Sequence, residues 1–243
     1  IAPFGNPDLK QPTARHYELG LEYQLRDDLL WKTEIYYKEL DNIIVSRPAA
    51  DNYPDLSDAE YNTLPNYTND ADGDTWGIEA FLNKNLTDRW YGWMSVAYAR
   101  TFRRNNLTGE DFRYEYDQPL IINTVANWKL NENWEVGFKW RLQSGQLVTP
   151  LESVTGPDSE GLYTPIYGDL NSERLPVYHK LDVRADRTFR FASGWEMDFY
   201  GEILNLYGRQ NVTGYTYEGA DYGKKVEVND LPTIVSFGIK AKF

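Results

Sequence analysis

Cysteine is absent from the 243 residues, which excludes a disulfide scaffold and a thiolate metal site. Histidine occurs twice, as His16 and His179. The two sit on separate segments with no nucleophile elbow nearby, so neither a catalytic triad nor a histidine-rich metal centre can be assembled. Positive charge is in deficit: 25 Lys and Arg stand against 37 Asp and Glu, a net charge of −12. No basic stripe of the kind that phosphates require is present, which argues against nucleic acid as a partner. No run approaches the roughly 18 consecutive apolar residues of a membrane-crossing helix, and no helical period stands out. Acidic residues are too evenly spread to single out a carboxylate pair for glycoside hydrolysis. The sequence therefore assigns no catalytic residue and no cofactor.

Aromatic side chains are abundant instead, at 15% of the chain with 19 Tyr and 8 Trp. Such rings favour the boundary between hydrocarbon and water, where an apolar body and a polar tip are both satisfied. They fall in segments that alternate apolar and polar residues with a period of two, the pattern of a half-buried strand. In the first, Tyr17, Leu19, Leu21, Tyr23 and Leu25 face one way while His16, Glu18, Gly20, Glu22 and Gln24 face the other. The second begins at Leu29, places Trp31, Thr33, Ile35 and Tyr37 on one face, and resumes at Ile43 and Val45 after an expected bulge over Leu40 to Asn42. Later segments centre on Ile78, Val96, Ile122, Phe138, Val183 and Phe199, and the last carries Phe237, Ile239, Ala241 and Phe243 on one face. About nine strands result.

Short turns at 26–28, 85–89, 130–133 and 192–194 alternate with long connections over 48–74, 103–117, 146–176 and 211–231. Short then long, repeated, is the rhythm of an antiparallel up-and-down transmembrane β-barrel; compact soluble domains rarely carry four such loops. Low mean hydropathy is compatible, because a membrane β-strand needs apolar residues only at alternate positions over about 9–11 residues.

Several stretches carry a family resemblance. The opening Asn6-Pro7-Asp8-Leu9-Lys10 followed by Tyr17-Glu18-Leu19-Gly20-Leu21-Glu22 resembles the entry to a late barrel strand in TonB-dependent outer-membrane receptors. Gln143-Ser144-Gly145-Gln146, Arg174-Leu175-Pro176-Val177-Tyr178 with Leu181-Asp182-Val183-Arg184, and Asn205-Leu206-Tyr207-Gly208-Arg209-Gln210-Asn211-Val212 are similar to the same family. The alternating end with Phe237, Ile239, Ala241 and Phe243 resembles the signal read by the barrel-assembly machinery. The resemblance covers residues 1–243 and implies the C-terminal part of a 22-stranded plugged barrel in the outer membrane of a Gram-negative bacterium. An odd strand count fits a fragment, since an open sheet leaves edges that lipid cannot satisfy. The plug and earlier strands are expected upstream or on another chain. Implied partners are outer-membrane lipid, the plug and remaining strands, the TonB complex acting through that plug, the assembly machinery, and a scarce nutrient: a ferric siderophore, cobalamin, an oligosaccharide or a peptide.

Candidate site residues follow. Glu18, Glu22, Glu79, Arg141, Gln143, Asp182 and Arg184 fall on the lumen face, where charges pair with one another or with a plug. Asp182 and Arg184 are expected to pair across strands. Tyr53, Tyr61, Tyr67, Tyr163, Tyr167, Tyr215 and Tyr217 lie in the long connections, where rings stack on sugars or flat chelates, or on each other. Arg103, Arg104 and Arg113 are suited to clamping an anionic ligand. Asp70, Asp72 and Asp74 are spaced like a calcium loop, but Thr75 stands where that pattern wants Gly, so no metal site is assigned.

Two other readings share these features. A passive outer-membrane porin or adhesion barrel would have the same strands without an energised plug. A soluble β-sandwich carbohydrate-binding module would also alternate, but it would hide its apolar face in a core.

Overall fold

Tight polar turns draw the alternating segments into long antiparallel hairpins. The computed structural model describes residues 5–48, 50 and 53–242; the predicted terminal Phe243 lies outside them. Strands β1 (Thr13–Arg26), β2 (Leu29–Ser46), β3 (Tyr67–Lys84) and β4 (Trp90–Asn105) come first, with helix α1 (Asp58–Tyr61) between β2 and β3. Then follow β5 (Asp111–Arg113), β6 (Leu120–Lys129), β7 (Trp134–Gln143), β8 (Leu147–Val148), β9 (Leu151–Thr155), β10 (Thr164–Tyr167) and β11 (Glu173–Arg174). The chain continues through β12 (Tyr178–Arg190), β13 (Glu196–Leu204), β14 (Val212–Glu218), β15 (Lys224–Asn229) and β16 (Ile234–Lys242). The main sheet runs β1-β2-β3-β4-β6-β7-β12-β13-β16, nine strands in a row, with β5 paired on β4. Those nine are the predicted strands. The remaining short strands form hairpins inside the long connections.

Turn chemistry fixes the tight ends. The Asn131 carboxamide oxygen accepts from the Asn133 and Trp134 amides at 2.9 and 3.0 Å, an Asx turn that starts β7. At 191–195, Gly194 takes φ +91°, and the Phe191 and Trp195 rings stack at 3.8 Å between centroids.

The strands run further than the sequence pattern reveals. Beyond the apolar alternation, β2 and β3 stay paired through register shifts at Leu40/Ile43 and Ile43/Val45, with Asn42 at φ 57° absorbing the extra residue. Residues 67–74, expected in a connection, are therefore strand; so are Arg103 and Arg104 at the end of β4 and Arg113 in β5. Helix α1 was not expected, although Ser57 and Glu60 spell a capping box: the Ser57 amide donates to Glu60 Oε2 at 2.9 Å and the Glu60 amide to Ser57 Oγ at 3.4 Å.

Register assigns every strand residue to one of two faces. One row reads Gly20, Glu34, Glu79, Ala97, Ile121, Gln143, Tyr178 across seven strands. On the opposite face Leu21, Thr33, Ala80, Val96, Ile122 and Leu142 run in register. That second face is uncovered: Leu19 is 75% exposed, Phe237 79% and Ile239 60%. Buried hydrophobic residues among those described are only Ile43, Ala71, Leu147, Leu175 and Val212, all at or beyond the bulge and loop end of the sheet. A soluble sandwich would bury its apolar face, so this arrangement excludes the β-sandwich reading.

Candidate functional site

The apolar face is bounded by two rows of rings. Towards the long connections lie Tyr17, Tyr37, Trp76 and Tyr98, with Tyr17–Tyr37 centroids 6.4 Å and Trp76–Tyr98 centroids 5.8 Å apart. Towards the short turns, Tyr23 pairs with Trp31 and Trp90 with Trp128. Apolar side chains fill the interval, which is the profile of a surface whose solvent is hydrocarbon flanked by water. Among the described residues no helix is long and apolar enough to cross a membrane.

The polar face holds Glu18, Glu22, Glu79, Arg141, Gln143, Asp182 and Arg184 together, as the alternation predicts. Lys32 Nζ meets Glu22 at 2.6 Å, and His16 Nε2 lies 3.5 Å from Glu18. Asp182 and Arg184, expected to pair across strands, find their ion partners on β12 itself. Arg184 instead donates twice to Asp186 on its own strand, at 2.8 and 2.7 Å, and covers the Tyr200 ring at 3.9 Å. Asp182 accepts from the Asn205 amide at 2.9 Å and has Lys180 Nζ at 3.8 Å. Glu34 and Glu79 stand directly opposite each other. Neither they nor Arg141 make an ion pair among the described residues, and Gln143 Oε1 is buried without a partner.

Where the strands pass into the long connections, three of the stretches quoted above interlock. Arg174 Nη1 donates to the carbonyls of Asp117 and Gly145, the latter at 2.7 Å, and Arg174 Nη2 to Asp117 Oδ2 at 3.1 Å. Asp117 is 3% exposed and also takes the Thr101 amide at 3.1 Å. The Leu175 amide donates to Gln146 O at 2.9 Å. Asn211 clamps His179, accepting from its amide and donating to its carbonyl, each at 3.0 Å. The Tyr178 hydroxyl donates to Asp230 Oδ2 at 2.6 Å, which holds the Asp230 carboxyl below its ordinary range. Sequence reasoning missed Asp117, Asn205 and Asn211 as organisers; Asn205 and Asn211 lie in one of those stretches, whereas nothing local marks Asp117.

The predicted loop residues scatter. Tyr61 is structural: its hydroxyl donates to Pro48 O at 2.9 Å, its ring meets Tyr53 at 5.6 Å, and Arg47 lies over it at 3.9 Å. Tyr67 opens β3 and is exposed. Tyr163 and Tyr167 belong to the segment around β10, and Tyr167 is 59% exposed. Tyr215 carries Lys225 Nζ at 3.7 Å, and the Tyr217 hydroxyl accepts from the Leu151 amide at 3.4 Å. Asp70, Asp72 and Asp74 sit in β3. Asp72 is already engaged by the Asn42 amide and Asn106 at 3.2 and 2.7 Å, and among the described residues no group of three or more acids or histidines is gathered for a metal.

The three arginines leave the strands on different faces yet line one cleft of about 920 Å³, together with Arg15 and Arg100. Arg104 opposes Asp72 and Asp111, and Arg113 opposes Phe102, on the face that carries the rings; Arg103 opposes Gly73 and Phe112 on the polar face. Arg103 lies over Tyr114 at 3.8 Å with its Nε unpartnered. A cleft of about 690 Å³ opens there, lined by Arg103, Arg113, Tyr114, Glu115 and Asn171. Asn171 ties it to the next connection by donating to Arg113 O at 2.8 Å. At the opposite end of the sheet, the turn carboxylate Asp28 meets Lys84 Nζ and accepts from Thr87 Oγ1 at 2.7 Å. The hydrogen bond from Lys84, then that from Thr87, lowers the Asp28 carboxyl to about 2.

Comparison with known proteins gives a consistent result. The protein family described as "TonB dependent receptor-like, beta-barrel" matches residues 1–206. No curated protein matches. Among solved structures, the chain is similar to the ferric-catecholate import receptor Fiu of E. coli, with a TM-score of 0.63 and 15% identity over 98% of this chain and 29% of that one. The outer membrane transporter YddB of Escherichia coli aligns with a TM-score of 0.61 and 15% identity over 98% and 33% of the two chains. The ferripyoverdine receptor of Pseudomonas aeruginosa aligns with 0.60 and 14% over 95% and 27%. The chain thus spans about a third or less of the length of these structures, and at such identities the likeness is one of fold.

Proposed function

This chain belongs to the TonB-dependent receptor β-barrel family, and on that premise we propose that it supplies nine strands of a larger plugged barrel in the outer membrane of a Gram-negative bacterium. In this reading the receptor binds a scarce nutrient at its extracellular side and imports it with energy delivered by TonB to the plug. The short turns face the periplasm and the long connections face outward. The polar wall faces the lumen, where the plug sits. Glu34 and Glu79, opposed and unpaired, and Arg141, also unpaired, are the groups offered to that plug, since like charges directly opposite need an external partner. Membership brings no bond chemistry, and the chain's role is recognition and passage.

The observation that carries the reading is the division of one continuous sheet into an uncovered apolar face between two aromatic rows and a charged face behind it. For the ligand, the cleft between Arg103, Arg113 and Tyr114 offers a cation and a ring to a flat or anionic group. The net charge of −12 disfavours highly anionic ligands at long range. Two structural neighbours, a ferric-catecholate import receptor and a ferripyoverdine receptor, support trying ferric chelates first, with cobalamin, oligosaccharides and peptides alongside.

Growth of a deletion strain on single defined sources of iron, cobalamin and carbon tests this, with the receptor gene returned as wild type or as Arg103→Ala. Loss of growth on one source, restored by the wild type and dependent on TonB, is the expected result. Uptake that persists without TonB would indicate a passive barrel instead.

A further inference from the structure

An arginine stands on the apolar face without an acid to meet it. Arg187 pairs in register with Trp134 on β7 and Phe199 on β13, both on that face. Its guanidinium lies 5.2 Å from the Trp134 ring centroid and 4.5 Å from that of Phe189. No hydrogen bond or ion pair reaches it among the described residues; the neighbouring Asp186 points to the other face and is taken by Arg184. Beside it the apolar face is notched. Ala185 opposes Gly201, which opposes Phe237, and a side chain added at Gly201 would meet nothing within 4 Å. The resulting cleft of about 470 Å³ is lined by Trp134, Ala185, Arg187, Phe199 and Gly201.

We propose that Arg187 and this notch form a binding site for one anionic phospholipid of the periplasmic leaflet, the phosphate held by Arg187 and an acyl chain laid over Ala185 and Gly201. The inference rests on the membrane reading above. A charged group facing hydrocarbon is costly at mid-bilayer and tolerated near the interface, where a long side chain reaches the headgroups. Arg187 is level with Trp134, in the row of rings on the short-turn side, so phosphate is within reach. A guanidinium fork matches the two free oxygens of a phosphodiester bidentately. The two flanking rings fix its direction and leave its polar edge free. A free anion would satisfy the arginine but leave the notch empty, whereas a lipid fills both.

The test uses the whole receptor, purified in mild detergent and placed in nanodiscs of phosphatidylcholine with a minor fraction of phosphatidylglycerol, with retained lipid counted by native mass spectrometry. Wild type retains phosphatidylglycerol over phosphatidylcholine several-fold. Arg187→Gln abolishes that preference, and Arg187→Lys keeps part of it. Gly201→Phe fills the notch without disturbing the sheet and lowers retention although Arg187 is intact. Absence of headgroup preference in the wild type, a preference indifferent to both changes, or displacement by inorganic phosphate alone would overturn the site while leaving the barrel intact. A wild-type receptor that does not enter the disc would overturn the membrane reading and this site with it.

Discussion

Arg174 Nη2 and Asp117 Oδ2 meet at 3.1 Å although 57 residues separate them in sequence. The carboxylate is 3% exposed, so the pair pins the connection after β4 to the one before β12 at a point shielded from water. Replacing Arg174 by Met leaves a buried anion with the Thr101 amide and a distant Arg100 at 3.7 Å. The expected cost is about 2–3 kcal/mol, below the full penalty of an isolated buried charge because those partners remain. Limited proteolysis of the receptor in membranes reads it out: cleavage within 103–117 and 146–176 accelerates in Arg174→Met and less so in Asp117→Asn. Unchanged cleavage would mean that the connections are held elsewhere.

Gly145 lies under the same pair. A Cβ there would come within 1.8 Å of the Leu175 carbonyl oxygen, a backbone atom with no freedom to yield. Gly145→Ala is expected to cost about 1–3 kcal/mol through displaced backbone and to loosen the Arg174 contact to Gly145 O. Gly201→Ala, which meets open space, stays within about 0.5 kcal/mol of wild type. Chemical unfolding of the two variants side by side decides the matter, and equal effects would contradict the close approach.

Depth along the apolar face sets a third expectation. Leu21, between the two aromatic rows on β1, faces mid-bilayer, and Tyr23 belongs to the row on the short-turn side. Leu21→Arg should cost about 2–4 kcal/mol and Tyr23→Arg about 0–1 kcal/mol in lipid vesicles. Glu22→Gln, on the polar face between them, should leave insertion unchanged. Equal penalties at Leu21 and Tyr23 would argue that this face does not cross a bilayer.

The acid side of the stability profile belongs partly to Asp28. Its folded carboxyl sits at about 2 against a reference of 3.8, chiefly through the hydrogen bond from Lys84. A depressed folded value means that the stabilisation is fully present above 3.8 and is lost as pH falls through about 2. Wild type should therefore lose more unfolding midpoint between pH 4 and pH 2 than Asp28→Asn, whose midpoint is lower at neutral pH because Lys84 is left buried at 6% exposure. Parallel profiles for the two proteins would remove Asp28 from the account.

The strand count, the facing of each strand and the tight turns were legible in the sequence because lipid imposes a strict period of two, and each of Leu19, Ile35 and Ile78 obeys it. The end points of the strands were not. Above the rings nothing demands alternation, so Asp70, Asp72 and Asp74 look like a loop although they continue β3 through hydrogen bonds that composition does not encode. The arginines illustrate the same limit: Arg103 and Arg104 are neighbours in sequence and face opposite ways in the sheet. Helix α1 was visible in Ser57 and Glu60, but a single turn offers no apolar period to find. The organisers Asp117 and Asn211 act through backbone groups far away in sequence, which no local pattern announces.

The 18-residue strands β2 and β3 rise well past the row of Tyr37 and Trp76. From Tyr37 to Ser46 the strand climbs roughly 30 Å along its own axis, at about 3.3 Å per residue. The connection at its tip therefore rides on a mast that β1 and β4 flank as far as Asp41 and Ala71 and that is two-stranded only above them. A ligand met on the paired strands finds backbone already hydrogen-bonded in the sheet, so its affinity there should depend little on freezing a floppy segment. Shortening the mast by matched pairs of residues would lower the landing platform step by step while leaving its shape intact.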